Sequence, residues 1–126
     1  MTITRLDHVN LRTTRLAEMI QWYEEILGLS AGVRPEFNMD GAWLYAGDVA
    51  AVHLVAVEDD GAAGSETALK LEHFAFRADG DADVFQDRLQ KRGVSYRRSG
   101  IEAMDLVAFN IWDPDGNHIH VDFIDD

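Results

Sequence analysis

Leu6-Asp7-His8-Val9-Asn10-Leu11-Arg12 returns 65 residues later as Leu71-Glu72-His73-Phe74-Ala75-Phe76-Arg77, and at the same spacing Gly28 meets Gly93 and Leu29 meets Val94. Two short matches at one offset argue for an internal duplication. Each stretch alternates. Val9 and Leu11, or Phe74 and Phe76, take one face of an extended segment, and His8 or His73 takes the other. A helix is expected after each. Leu16, Met19, Ile20, Tyr23, Ile26 and Leu27 follow the i, i+3, i+4, i+7 rule, with Thr14 as N-cap and Gly28 as C-cap. Asp81 and Gly93 bracket the counterpart, whose apolar stripe is Ala82, Phe85 and Leu89.

Strand patterns resume after each helix. They fall near 31–36, 42–46 and 49–57 in the first copy and at 94–98, 106–112 and 118–124 in the second. Gly47-Asp48 marks a turn in one, and Asp113-Pro114-Asp115-Gly116-Asn117 a stronger one in the other. The order is βαβββ twice: an α+β fold in which two tandem modules form a curved mixed sheet around a concave site. The chain reads as one domain over 1–126, with module one at 1–58, a polar, flexible loop at 59–66 and module two at 67–126.

Composition bounds the chemistry. With 126 residues, 47 % of them hydrophobic, the chain can bury one sizeable core. No apolar run approaches the roughly 20 residues that span a bilayer, and no basic-then-apolar leader opens the chain, so a cytoplasmic location is expected. Cysteine is absent, which leaves any metal to nitrogen and oxygen ligands. The net charge of −12 repels nucleic acid and anionic membranes.

All five histidines fall on one side of their segments. His8 and His73 lie opposite the apolar residues, His53 lies opposite Val52 and Leu54, and His118 and His120 share a face with Asp122 opposite Ile119, Val121 and Phe123. A single strand histidine is usually packed or hydrogen-bonded, but two here are duplicates and the rest come near the module ends. Neutral imidazole is the natural ligand for a divalent metal in a chain without thiols. Asn10, Asn110, Trp112 and Asp122 should line the same face if the 113–117 hairpin is in simple register. Arg34, Arg97 and Arg98 could bind an anionic substrate, although surface solvation explains them more simply; Glu18, Glu24 and Glu25 read as solvent face of the first helix.

These stretches, together with Trp22-Tyr23-Glu24-Glu25-Ile26-Leu27-Gly28-Leu29 and Asp113-Pro114-Asp115-Gly116-Asn117-His118-Ile119-His120, resemble the vicinal oxygen chelate superfamily, and the resemblance covers nearly the whole chain. That superfamily includes glyoxalase I, extradiol dioxygenases and bleomycin-binding proteins. It implies metal ligands on the first and last strands of each module, here His8, His53, His73 and His120. His120 stands where a glutamate is usual, so a proton-moving carboxylate ligand is missing. His118 has no assigned family role; the 65-residue offset pairs it with His53, which makes it an alternate ligand or, more simply, a pocket-lining residue. It and Asp122 are the unligated groups best placed to move a proton.

The resemblance implies a small-molecule substrate, a homodimer and one divalent ion (Zn, Ni, Fe, Mn or Co), and its type is left open by the residues. The first expectation is a metal-dependent glyoxalase-like lyase or isomerase. The alternatives are an iron-dependent ring-cleaving dioxygenase, which usually uses two histidines and a carboxylate, and a drug-binding protein without catalysis. Intact histidines argue against the last.

Overall fold

The computed structural model describes residues 1–59 and 71–124, so the loop expected at 59–66 lies, apart from Asp59, outside the described residues. The chain separates into two compact units, Met1–Leu69 and Lys70–Asp126. The first runs β1 (Val9–Thr13), α1 (Leu16–Leu27), β2 (Ser30–Gly32), β3 (Gly41–Ala46) and β4 (Val49–Ala56). The second runs β5 (Phe74–Ala78), α2 (Ala82–Lys91), β6 (Arg97–Ile101), a 3₁₀ turn (Glu102–Met104), β7 (Leu106–Trp112) and β8 (His118–Ile124). The tandem βαβββ, α+β expectation is met by two four-stranded mixed sheets, ordered β1-β4-β3-β2 and β5-β8-β7-β6. In each, the first and last strands pair in parallel and the others antiparallel.

Local chemistry sets the element ends. Gly28 closes α1 at φ 71°, its N–H bonded to the Glu24 carbonyl while the Leu29 N–H bonds to that of Tyr23. The start differs from expectation. Arg15, not Thr14, holds the cap position, because the Thr13 hydroxyl accepts the Arg15 N–H and ties the chain to the end of β1. Asp81 caps α2 as expected, its carboxylate accepting the Asp83 N–H at 2.8 Å.

Two strands also move. The segment expected at 31–36 pairs only over Ser30–Gly32, since Arg34 turns to the Met39 carbonyl and the Tyr45 hydroxyl donates to the Val33 carbonyl. The one expected at 94–98 forms at Arg97–Ile101, because the Val94 N–H is spent on the Leu89 carbonyl in the helix cap and Tyr96 accepts from Gln90.

Each helix covers one face of its own sheet. Met19, Tyr23 and Ile26 of α1 are buried, as are Leu44, Val52 and Leu54 of β3 and β4. In the second unit Phe85 meets Phe109 and Phe123 with ring centroids 5.2 and 5.7 Å apart, and Ile111, Ile119 and Val121 complete the core. The opposite faces carry the histidines.

The β7–β8 turn sets their register. Asp113 is buried, and its Oδ1 accepts the N–H groups of Asp115 and Asn117 while Oδ2 accepts the Asn117 side-chain amide. Gly116 supplies the positive φ, 85°, that the turn requires. Trp112 then pairs with His118 and Asn110 with His120. A one-residue slip here would send both histidines into the helix side.

Register also revises the duplication. Val9 pairs with Val52 and Phe74 with Ile119, so the last strands correspond at an offset of 67, not 65. His53 is therefore equivalent to His120, and Ala51 to His118. Gly32 pairs with Trp43 and Arg97 with Asn110, which places the two extra residues of module two in the hairpin between β6 and β7.

Candidate metal centre

In the first unit the His8 ring stacks on His53 at 3.8 Å and 8°, and His53 stacks on Trp43 at 4.1 Å and 13°. His8 Nδ1 donates to Asp7 Oδ1 at 2.7 Å, and His53 Nε2 donates to the Ala50 carbonyl at 3.1 Å. Both acceptors lack protons, so the lone pairs fall on His8 Nε2 and His53 Nδ1.

The second unit repeats the pair and adds to it. His73 stacks on His120 at 3.8 Å and 5°, with Nδ1 of His73 held by the Glu72 carboxylate. Glu72 also accepts from His118 Nδ1 at 2.9 Å, while His118 Nε2 faces Asn110 Oδ1 at 2.9 Å and the ring stacks on Trp112. The buried Asn110 amide is oriented by further partners: Oδ1 accepts from Arg97 Nη2, and Nδ2 donates to the Arg97 carbonyl and Ser99 Oγ. One nitrogen from each of His73, His118 and His120 lies within 4.8 Å of the others.

Electrostatics favour metal-competent imidazole at the inner member of each pair. Burial pushes His53 below the ordinary histidine value, with the charge of His8 adding to it. Burial does the same at His120, with His73 and His118 adding to it. Asp7 and Glu72 lie below the usual carboxylate range, chiefly through the hydrogen bonds from His8 and His73. A carboxylate that orients a histidine through its second nitrogen is the usual outer partner of a metal-ligating imidazole. The donor set thus fits a first-row divalent ion, with nitrogen ligands throughout.

The four expected ligands divide into two equivalent pairs, one per unit. Asn10 lies in register with His53, and Asn110 and Trp112 lie in register with His120 and His118, as expected. Asp122 shares the face of His120, and its Oδ1 is buried without a hydrogen-bond partner. Arg98 does not join this face; it pairs with Asp83 and Gln86 of α2 and lies over Phe109. Arg34 is committed to the Met39 carbonyl and the Phe37 ring. The orienting acids Asp7 and Glu72 were not singled out from sequence, although an acid directly before each duplicated histidine was the available signal. Trp43 was missed too, although it holds in the β3–β4 hairpin, opposite His53, the place that Asn110 holds opposite His120.

Residues 5–121 match the model of the Glyoxalase/Bleomycin resistance protein/Dioxygenase superfamily. A curated relative, "Glyoxylase I 4" of Arabidopsis thaliana, is 29% identical over 94% of this chain and 70% of its own length. Among solved structures, a glyoxylase/bleomycin resistance protein/dioxygenase domain from Frankia sp. EAN1pec superposes with a TM-score of 0.78 at 22% identity, covering 99% of this chain and 95% of that one. An integron cassette protein from a Halifax Harbour sewage outfall metagenome gives 0.74 at 24% identity, over 97% of this chain and 100% of that one.

Proposed function

Because the chain belongs to the Glyoxalase/Bleomycin resistance protein/Dioxygenase superfamily, we propose that it is a metal-dependent enzyme of the glyoxalase-like lyase or isomerase type, acting on a small oxygenated substrate. The observation that carries this reading is the gathering of His73, His118 and His120 on one sheet face with their nitrogens within 4.8 Å. The "Glyoxylase I" name of the plant relative supports the reaction type. His8 and His53 in the first unit, and His73 and His120 in the second, are the proposed ligands for divalent metal (Zn, Ni, Fe, Mn or Co). When bound, the ion supplies Lewis-acid polarisation of adjacent substrate oxygens.

The protein's own groups divide the remaining work. Asp7 and Glu72 fix the ring orientation of His8 and His73, leaving Nε2 of each as the donor. His118 donates Nδ1–H to Glu72, which leaves Nε2, beside Asn110 Oδ1, as the nitrogen that takes up a proton next to the ligands. Asp122 adds a buried acceptor, Oδ1, on the same face. No carboxylate is a proposed ligand, so proton removal falls to these two residues.

The test is exchange of carbon-bound hydrogen with D₂O, followed by NMR, in a panel of 2-hydroxy and 2-oxo carbonyl compounds. His118→Gln and Asp122→Asn should each slow exchange by roughly 10²-fold while metal content stays at the wild-type level. Wild-type exchange rates in both variants, or iron-containing protein that consumes dioxygen with a catechol-like compound, would end this reading.

A homodimer belongs to the same proposal. Each sheet ends in edge strands, β1 and β2 or β5 and β6, and exposed edges invite pairing. Light scattering of the metal-loaded protein at micromolar concentration should give twice 14.1 kDa; the single value would refute the dimer.

A further inference from the structure

The second module carries polar groups that its own fold does not require. Arg97, Asn110 and His118 occupy the positions held in the first module by Gly32, Trp43 and Ala51, and the first module builds a sheet of the same strand order with those residues, with a register shift between Leu44 and Tyr45 that leaves Ala51 unpaired. The duplicate acts as an internal control: the sheet needs neither the guanidinium, the amide nor the extra imidazole. They form one connected row, with Arg97 and His118 both hydrogen-bonded to the same Asn110 oxygen.

Arg97 differs from its neighbour in what it holds. Arg98 is neutralised by Asp83 on the helix side. Arg97 projects onto the histidine face, spends Nη2 on an uncharged amide and has no carboxylate within ion-pair range among the described residues. In a chain with 23 acidic against 11 basic residues, a guanidinium beside the histidines with no acidic partner among the described residues is placed against the average charge. Trp112 flanks it, 6.0 Å from guanidinium carbon to ring centroid, which limits the directions the fork can take.

We propose that Arg97, oriented by Asn110, is the substrate's anion-binding residue, and that the substrate class is a small carboxylate whose second oxygen function lies toward the histidines. The guanidinium fork matches a carboxylate through two parallel N–H donors. This inference rests on the metal-dependent reading of the same face.

The experiment is calorimetric titration of oxalate, and separately of inorganic phosphate, into full-length protein with and without zinc. Wild type, Arg97→Gln and Arg97→Lys are compared, with zinc content measured by elemental analysis and folding by circular dichroism. Arg97→Gln should weaken oxalate about tenfold or more at unchanged zinc content, and Arg97→Lys should recover only part of it, because a point charge replaces the fork. Equal oxalate affinity in wild type and Arg97→Gln overturns the proposal. Phosphate binding tighter than oxalate with the same Arg97 dependence overturns the carboxylate assignment. If wild type takes up no zinc, the metal reading falls by itself; an Arg97-dependent oxalate signal in the metal-free protein then still supports the anion subsite, and none overturns it.

Discussion

The double variant His73→Ala/His120→Ala should lose bound metal while keeping its fold. These two rings contribute the free nitrogens of the second unit: Glu72 occupies only Nδ1 of His73, and burial holds His120 below the ordinary histidine value. Metal ligation requires deprotonated nitrogen, and removing two such donors leaves the second unit only His118, whose nitrogens face Glu72 and Asn110. Loss of an outer partner alone typically costs 10–100-fold in affinity, so loss of two ligands should exceed about 100-fold. Elemental analysis beside His118→Gln separates the roles. Occupancy in the double variant equal to wild type would show that the histidine face is not a metal centre.

Phe109→Ala should produce the largest loss of stability. Phe109 is fully buried at the centre of the second unit, with Phe85, Tyr96 and Phe123 around its ring and the Arg98 guanidinium over it. Truncating such a ring removes its transfer free energy and leaves a cavity, at a cost of about 3–5 kcal/mol. That is a large share of the roughly 5–15 kcal/mol by which domains are stable. Urea titration should show the midpoint fall accordingly, whereas Val84→Ala on the exposed side of α2 should change stability by no more than about 0.5 kcal/mol. A Phe109→Ala midpoint close to that of Val84→Ala would contradict the core described for this unit.

What the sequence made legible was whatever local rules decide. Alternation along 118–124 put His118, His120 and Asp122 on one face, and the Asp113–Asn117 turn held the register that makes the alternation meaningful. The helix end at Gly28 and the cap at Asp81 were readable for the same reason. Features that depend on remote partners were not. The late start of β6 reflects a carbonyl of Leu89 claiming the Val94 N–H, which alternation cannot reveal. Pairing His53 with His118 followed from a constant offset, and two residues added between β6 and β7 broke it without leaving a mark near either histidine. Glu72 escaped notice as a shared anchor because His118 lies 46 residues away from it.

The parallel pairing of β1 with β4 and of β5 with β8 has a kinetic consequence. Each stacked histidine pair spans a loop of roughly 45 residues, so it forms only when the chain of a module has returned to its own beginning. Such non-local contacts are slow to arrive because loop-closure entropy is lost before any contact repays it. The quenching of an added metal-sensitive dye during refolding would therefore time the closure of a module, and ions bound to the closed pair would hold it shut by mass action.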